Sequence, residues 1–278
     1  MVAGTSGGES KGMNIINRSA LKTKHSLPYF DSPEITRLKW TQHGFLTRKG
    51  GMSLPPYDEL NLSDENGDQV EPISQNKNLI ATSFRFDPNR LILLHQIHQD
   101  RILFLKEPLS HPPSSLEYDA LITNAPNIYL GILTADCVPI VVVDQRKKVI
   151  AAIHAGRQGT ALYITSKVLK KMKGEFGCSP KDLLITLGPS IGFCCYEIDE
   201  KVFLREWEPF SILVGDGKMM VDLARINISQ MEREGVKEEQ ISWIDLCTSC
   251  HHDLFFSQRK ERGKTGRQLS FIGITGLR

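Results

Sequence analysis

Residues 130–160 read LGILTADCVPIVVVDQRKKVIAAIHAGRQGT, and the fold turns on this stretch. Ile140-Val141-Val142-Val143 is an apolar, β-branched run, the pattern of a buried strand. Gln145-Arg146-Lys147-Lys148 is a polar, hairpin-like turn. Val149 to Ile153 reads as the next strand, and Gly156 and Gly159 break it before a helical pattern. Each run also carries one soft metal ligand: Cys137 interrupts the first and His154 ends the second. A thiol and an imidazole on adjacent buried strands need only one or two more ligands to make a zinc site.

Upstream, Leu94-His95-Gln96-Ile97-His98 follows the strand-like Leu91-Ile92-Leu93. His98 would complete Cys137 and His154 into a three-ligand set with an open fourth position, the arrangement of catalytic zinc. Spacing alone leaves a second reading open, two satisfied buried histidines and one inert buried cysteine, because long-range Cys/His sets obey no spacing rule.

Several motifs resemble one known family. They are Thr134-Ala135-Asp136-Cys137, His154-Ala155-Gly156, Gln96-x-His98 and the LGPSIG of residues 187–192. Thr47-Arg48-x-Gly50-Gly51-x-Ser53, Tyr57-Asp58-x-Leu60-Asn61-Leu62, Asp253-Leu254-Phe255-Phe256-Ser257 and Thr265-Gly266-Arg267 extend the pattern over about residues 43–274. Together they resemble the laccase-domain family, whose members were first labelled polyphenol oxidases and are now described as YfiH-type purine nucleoside phosphorylases. The resemblance implies a four-layer α/β/β/α sandwich and metal ligands at His98, Cys137 and His154. Two places depart from the commoner family form. His154-Ala155-Gly156 is followed by Arg157-Gln158-Gly159 in place of Trp-Arg-Gly, and the tail reads Arg259-Lys260-Glu261-Arg262 in place of paired arginines followed by an aspartate.

The expected site then comprises Cys137, Asp136 and His154 as catalytic residues, with Arg48, Gln96, Arg157, Phe256 and Arg259 holding substrate or phosphate. Arg48 sits in a glycine-bearing loop, where backbone can approach an anion and a guanidinium can grip phosphate bidentately; an ordinary turn with solvated charges has the same sequence. The start of the helix at Gly156–Thr160 offers unpaired N–H groups beside His154. Asp136 is placed to fix a histidine tautomer, or faces away, since strand neighbours alternate. Phe255-Phe256 beside Arg259 can sandwich a base or can be core.

Composition narrows the class. A hydrophobic fraction of 40% and a charged fraction of 24% are those of an ordinary globular protein, and a net charge of +2 gives no basic field for nucleic acid. No apolar run reaches the roughly 18 residues of a membrane span. Residues 1–30 read as a disordered leader with no apolar signal core, and 31–278 as a single catalytic domain. Six cysteines without an export signal point to reduced thiols in a cytoplasmic protein. Cys194-Cys195 read as packing residues. Cys247-Thr248-Ser249-Cys250-His251 matches a haem-attachment pattern, but the missing export signal excludes that role; Cys247 then packs near the cleft and Cys250 is incidental.

Helical stretches are expected at Glu71–Arg85, Thr160–Phe176, Asp199–Trp207 and Asp222–Glu234. Strands are expected at 35–47, 91–94, 183–187, 240–244 and 269–274, with an exposed loop at 108–117. Strands outnumber helices and do not alternate strictly with them, so the fold class is α+β with mixed sheets, not a Rossmann fold.

The function expected from the resemblance is zinc-dependent phosphorolysis of purine nucleosides, adenosine first, then inosine and guanosine types, with adenosine deamination as a second activity. Small molecules are the expected partners, not nucleic acid or membrane. The alternatives are a cytosolic hydrolase that edits peptidoglycan precursors, or a non-catalytic zinc-binding module. Eight histidines, two of them in the leader and in a Pro-rich loop, are too few for a multicopper oxidase, and copper at such a site would be adventitious.

Overall fold

Every residue of Val138–Asp144 and Val149–Ala155 is buried, because the sheet they form is covered on both faces. The computed structural model describes residues 19–107 and 117–275. In chain order its elements are β1 (Lys22–Lys24), β2 (Leu27–Phe30), α1 (Pro33–Thr36), β3 (Thr41–Leu46), α2 (Val70–Phe84), β4 (Leu91–Ile92), β5 (Ile102–Leu105), β6 (Ala120–Thr123), β7 (Tyr129–Thr134), β8 (Val138–Asp144), β9 (Val149–Ala155), α3 (Arg157–Ala161), α4 (Ile164–Phe176), β10 (Leu183–Leu187), β11 (Glu197–Asp199), β12 (Ser211–Gly215), β13 (Lys218–Val221), α5 (Leu223–Arg233), β14 (Ile241–Trp243) and β15 (Gln268–Ile274).

Two six-stranded mixed sheets, β1-β2-β3-β15-β7-β4 and β14-β10-β8-β9-β6-β5, stack face to face, and β11-β13-β12 form a small third sheet. Three apolar clusters fill the spaces between layers. Phe45, Leu130, Ile132 and Ile272 of the first sheet meet Val141, Val143, Ile150 and Ala152 of the second. The alternate residues Ile140, Val142, Ala151 and Ile153 point the other way, onto Val168 and Met172 of α4 and Ile226 and Met231 of α5. On the far side of the first sheet, Leu46, Leu91 and Phe271 pack with Ile80 and Phe84 of α2. The order of layers is therefore α/β/β/α, as the family resemblance implies.

Some sequence expectations change. Residues 22–30, assigned to the leader, form β1 and β2 on the edge of the first sheet; residues 1–18 lie outside the described residues. Most of the expected 108–117 loop is outside them too. The stretch 35–47 holds a short helix before its strand, because Pro33 and the Ser32 cap start a turn there. The single helix expected over 160–176 is two, divided at Tyr163, whose φ is +60°. No α-helix forms at 199–207. Glu197–Asp199 pairs with β13, and only 3₁₀ turns follow, the second carrying Pro209. Gly177 ends α4 in the left-handed conformation that glycine favours.

His43 on β3 is buried, and its Nε2 accepts from the Ser32 amide at 2.8 Å. Burial pushes its pKa from 6.5 down to about 4, against the nearby Asp31 carboxylate. Between those values the unfolded chain takes up a proton and the folded chain does not. The contribution is complete above pH 6.5 and falls as pH drops towards 4, by on the order of 3 kcal/mol. Urea unfolding should show about 2 kcal/mol of this loss between pH 7 and 5 in the parent, and His43→Gln, which keeps an acceptor for Ser32, should flatten it.

Candidate metal centre

His98, Cys137 and His154 come from three separate parts of the chain, yet their ligand atoms lie within 4.8 Å of one another. Cys137 ends the tight turn joining β7 to β8. His154 is the penultimate residue of β9, paired with Pro139 in the ladder. His98 lies in the loop between β4 and β5, with a left-handed φ of +56°. Its Nδ1 is 4.0 Å from Cys137 Sγ, and the two imidazole rings meet edge to face at 4.6 Å.

One buried carboxylate organises all of this. Asp119, immediately before β6, has no solvent exposure. Its Oδ1 accepts from the His98 amide at 2.9 Å and from His154 Nδ1 at 2.8 Å, and its Oδ2 accepts from the Gln99 amide at 2.7 Å. The Asp119 carbonyl also accepts from the His154 amide at 2.8 Å. With Nδ1 donating, His154 presents Nε2 to the site.

The donors fit a metal ion. Burial alone would push the Cys137 thiol up, but the charge of His154 and hydrogen bonds from both histidines outweigh it and bring it to about 6. Burial opposes charge on His154, yet the Cys137 thiolate and Asp119 raise it to about 9. Without a metal the two therefore form a thiolate–imidazolium pair, and an ion bound there would take the place of the proton on His154 Nε2. Gly156 supplies the space. A Cβ there would lie 3.0 Å from both Cys137 Sγ and His98 Nδ1, where a shared ion must sit.

The centre opens onto a cleft of about 870 Å³ lined by Gln96, Asp136, Tyr196, Arg259, Arg262 and Arg267, with apolar walls from Leu62, Leu93 and Ile191. That volume suits a small organic ligand. Burial, reinforced by the Cys137 charge and opposed by Arg157 and Arg259, pushes the Tyr196 hydroxyl up to about 12, so it stays protonated. Arg262 forms no hydrogen bond or ion pair with any described residue. Arg267 donates to the carbonyls of Thr265 and Gly266 and to Gln258.

The residues read from sequence divide into two groups. His98, Cys137, His154, Asp136, Gln96 and Arg259 come together. Gln96, however, spends its amide on the Leu133 backbone, accepting at 2.8 Å and donating at 2.7 Å. Asp136 touches neither histidine; it accepts from Thr248 Oγ1 at 2.6 Å and the Arg259 amide at 2.7 Å, and the tautomer-fixing role belongs to Asp119. Arg157 opens α3 beside the cleft, outside its lining. Arg48 is buried away from the cleft. It donates to the carbonyls of Asp58 and His252 and to Glu261, and stacks 4.4 Å over the fully buried Phe256, so neither is open to a ligand.

Sequence reasoning missed Asp119, Tyr196, Arg262 and Arg267 as site residues. Arg267 carried a signal in Thr265-Gly266-Arg267, but Asp119 carried none. Cys250 and Cys194-Cys195, read as incidental and as packing residues, instead gather with Cys247 in a second cluster.

Gly156→Ala should abolish metal binding at this centre while leaving the circular dichroism spectrum intact. Asp119→Asn should weaken metal binding by about 10–100-fold in chelator competition. Arg48→Ala should leave metal binding unchanged but lose on the order of 3 kcal/mol of stability, since Glu261 loses its charged partner.

Comparison with known proteins places the fold in a family. The family described as multi-copper polyphenol oxidoreductase laccase matches residues 42–275. A purine nucleoside phosphorylase of Bacteroides thetaiotaomicron is 34% identical over 269 residues, covering 92% of this chain and 98% of its own. The Bacillus subtilis purine nucleoside phosphorylase YlmD is 31% identical over 244 residues, covering 83% and 87%. Among solved structures, the Bacillus licheniformis hypothetical protein YfiH superposes with a TM-score of 0.86 at 30% identity, over 94% of this chain and all of that one. YlmD from Geobacillus stearothermophilus gives 0.85 at 27% identity, over 93% of this chain. By sequence and by fold, the chain belongs to the multi-copper polyphenol oxidoreductase laccase family.

Proposed function

We propose that this chain is a zinc-dependent purine nucleoside phosphorylase acting on adenosine, and on inosine- and guanosine-type nucleosides, with adenosine deamination as a second reaction. The observation that carries this reading is one cleft holding both the His98–Cys137–His154 centre and the cations Arg259, Arg262 and Arg267. The names of the relatives support it. Zinc bound by the two histidines and the cysteine supplies a Lewis acid on the cleft floor. Two imidazoles and one thiolate suit zinc and fall short of the many imidazoles of a multicopper oxidase.

The chain's own residues serve the rest of the reaction. A phosphate oxygen forms a bond to C1′ as the C1′–N9 bond breaks, and the base leaves with the electron pair and takes up a proton. Arg262, without a partner among the described residues, and Arg267 hold the phosphate; this role passes to them from Arg48. Asp136 keeps Arg259 and Thr248 in place through its two hydrogen bonds. The protonated Tyr196 hydroxyl donates towards the ribose or the departing base. A cytoplasmic location fits a nucleoside substrate and free thiols.

Adenosine incubated with metal-quantified protein and phosphate should give adenine and ribose 1-phosphate by chromatography, and no adenine when phosphate is left out. Inosine formed without phosphate marks the deamination. Release of an amino acid from a muramyl nucleotide, with adenosine inert, would move the chain to the editing hydrolases. Inertness towards both would leave a binding module. Arg262→Ala should raise the KM for phosphate, and Tyr196→Phe should lower kcat/KM about tenfold, in line with the loss of one hydrogen bond.

A further inference from the structure

Besides the cleft's His–Cys–His set, the described residues contain one other group of metal-ligating side chains. Cys194, Cys195, Cys247 and Cys250 hold their sulfurs within 4.8 Å of one another. Cys194 Sγ and Cys195 Sγ lie 3.6 Å and 3.5 Å from Cys250 Sγ. These separations far exceed a disulfide bond of ~2.05 Å, and all of these cysteines are free. A tetrahedral ion with Zn–S bonds of ~2.3 Å places its sulfurs about 3.8 Å apart. The two Cys250 separations are close to that value, and with all four sulfurs within 4.8 Å of one another a single ion can reach them all. An iron–sulfur cluster would interpose iron and sulfide and hold the thiolates further apart.

The backbone around the cluster is built to hold it. Cys194 and Cys195 follow β10, and Cys247 and Cys250 follow β14. The two segments are joined by the Ser190 amide donating to the Leu246 carbonyl at 3.3 Å and the Thr248 amide donating to the Ser190 carbonyl at 3.0 Å. The Gly192 amide donates to Cys247 Sγ at 3.2 Å, as amides do to metal-bound thiolates. Four clustered thiols cannot all ionise without a cation between them, whereas a divalent ion balances half of that charge and takes up the rest in bonding.

We propose that Cys194, Cys195, Cys247 and Cys250 bind one Zn²⁺ as a closed, structural four-thiolate site. With no open position the ion does no chemistry there. It locks one wall of the cleft, since Tyr196 follows Cys195, Thr248 carries the hydrogen bond to Asp136, and Arg259 donates to the Cys195 carbonyl. The proposal is independent of the substrate assigned to the cleft.

Zinc content should be measured by plasma mass spectrometry on protein purified in reductant without air. Two zinc ions per chain are expected, falling to one in Cys194→Ser, in Cys250→Ser and in His154→Ala. X-ray absorption at the zinc edge of His154→Ala should show a shell of sulfur only, at about 2.3 Å. That measurement decides the matter even if the serine variants fold poorly. One zinc in the parent with unchanged content in the serine variants would overturn the proposal. So would nitrogen in the zinc shell of His154→Ala, a disulfide joining Cys250 to Cys194 or Cys195 under those conditions, or iron in place of zinc.

Discussion

The carboxylate of Asp119 is the interaction on which the candidate centre depends. A carboxylate with no solvent exposure costs several kcal/mol unless its lone pairs are filled. Here three N–H groups fill them, and each fixes something the site needs. Two are the amides of His98 and Gln99, which hold the loop in the left-handed turn that aims the His98 ring. The third is His154 Nδ1, which turns Nε2 towards the other two ligands. One buried charge thereby fixes a loop conformation, a ring tautomer and the separation of two ligands.

The architecture was legible in the sequence wherever apolar period alone decides. The central hairpin, α2, α5 and β10 fall close to where their patterns place them, because packing on both faces demands those residues. Local competition hid the rest. The stretch 199–207 looks helical, but its first residue, Asp199, is drawn into the ladder with β13. The stretch 22–30 is short and polar at its start, yet Leu27 and Phe30 are buried against the first sheet. In the site, ligands on strongly patterned strands could be read, while Asp119 stands 35 residues from the histidine it orients, with no local mark of that contact. Arg48 shows the opposite error. A cation in a glycine loop looks like an anion site until the structure shows its guanidinium buried on Phe256 and Glu261.

Charge is divided across the cleft. Its lining carries the carboxylates of Asp64, Glu65 and Asp136 beside Cys137. The rim carries Arg259, Arg262 and Arg267, of which Arg262 has no partner among the described residues.

β15 lies between β3 and β7 at the centre of the first sheet, although it is the last strand in chain order. During synthesis β3 and β7 must wait, each with an open, apolar edge, until residue 274 has left the ribosome. The second sheet needs nothing beyond β14 and can form earlier. The nascent chain thus passes through a stage in which half of the sandwich is assembled and the other half is an adhesive template for strands of other molecules. Removing the seven residues of β15 would leave both edges open, so the first sheet is guarded against association with other molecules by the strand that is made after all of its neighbours.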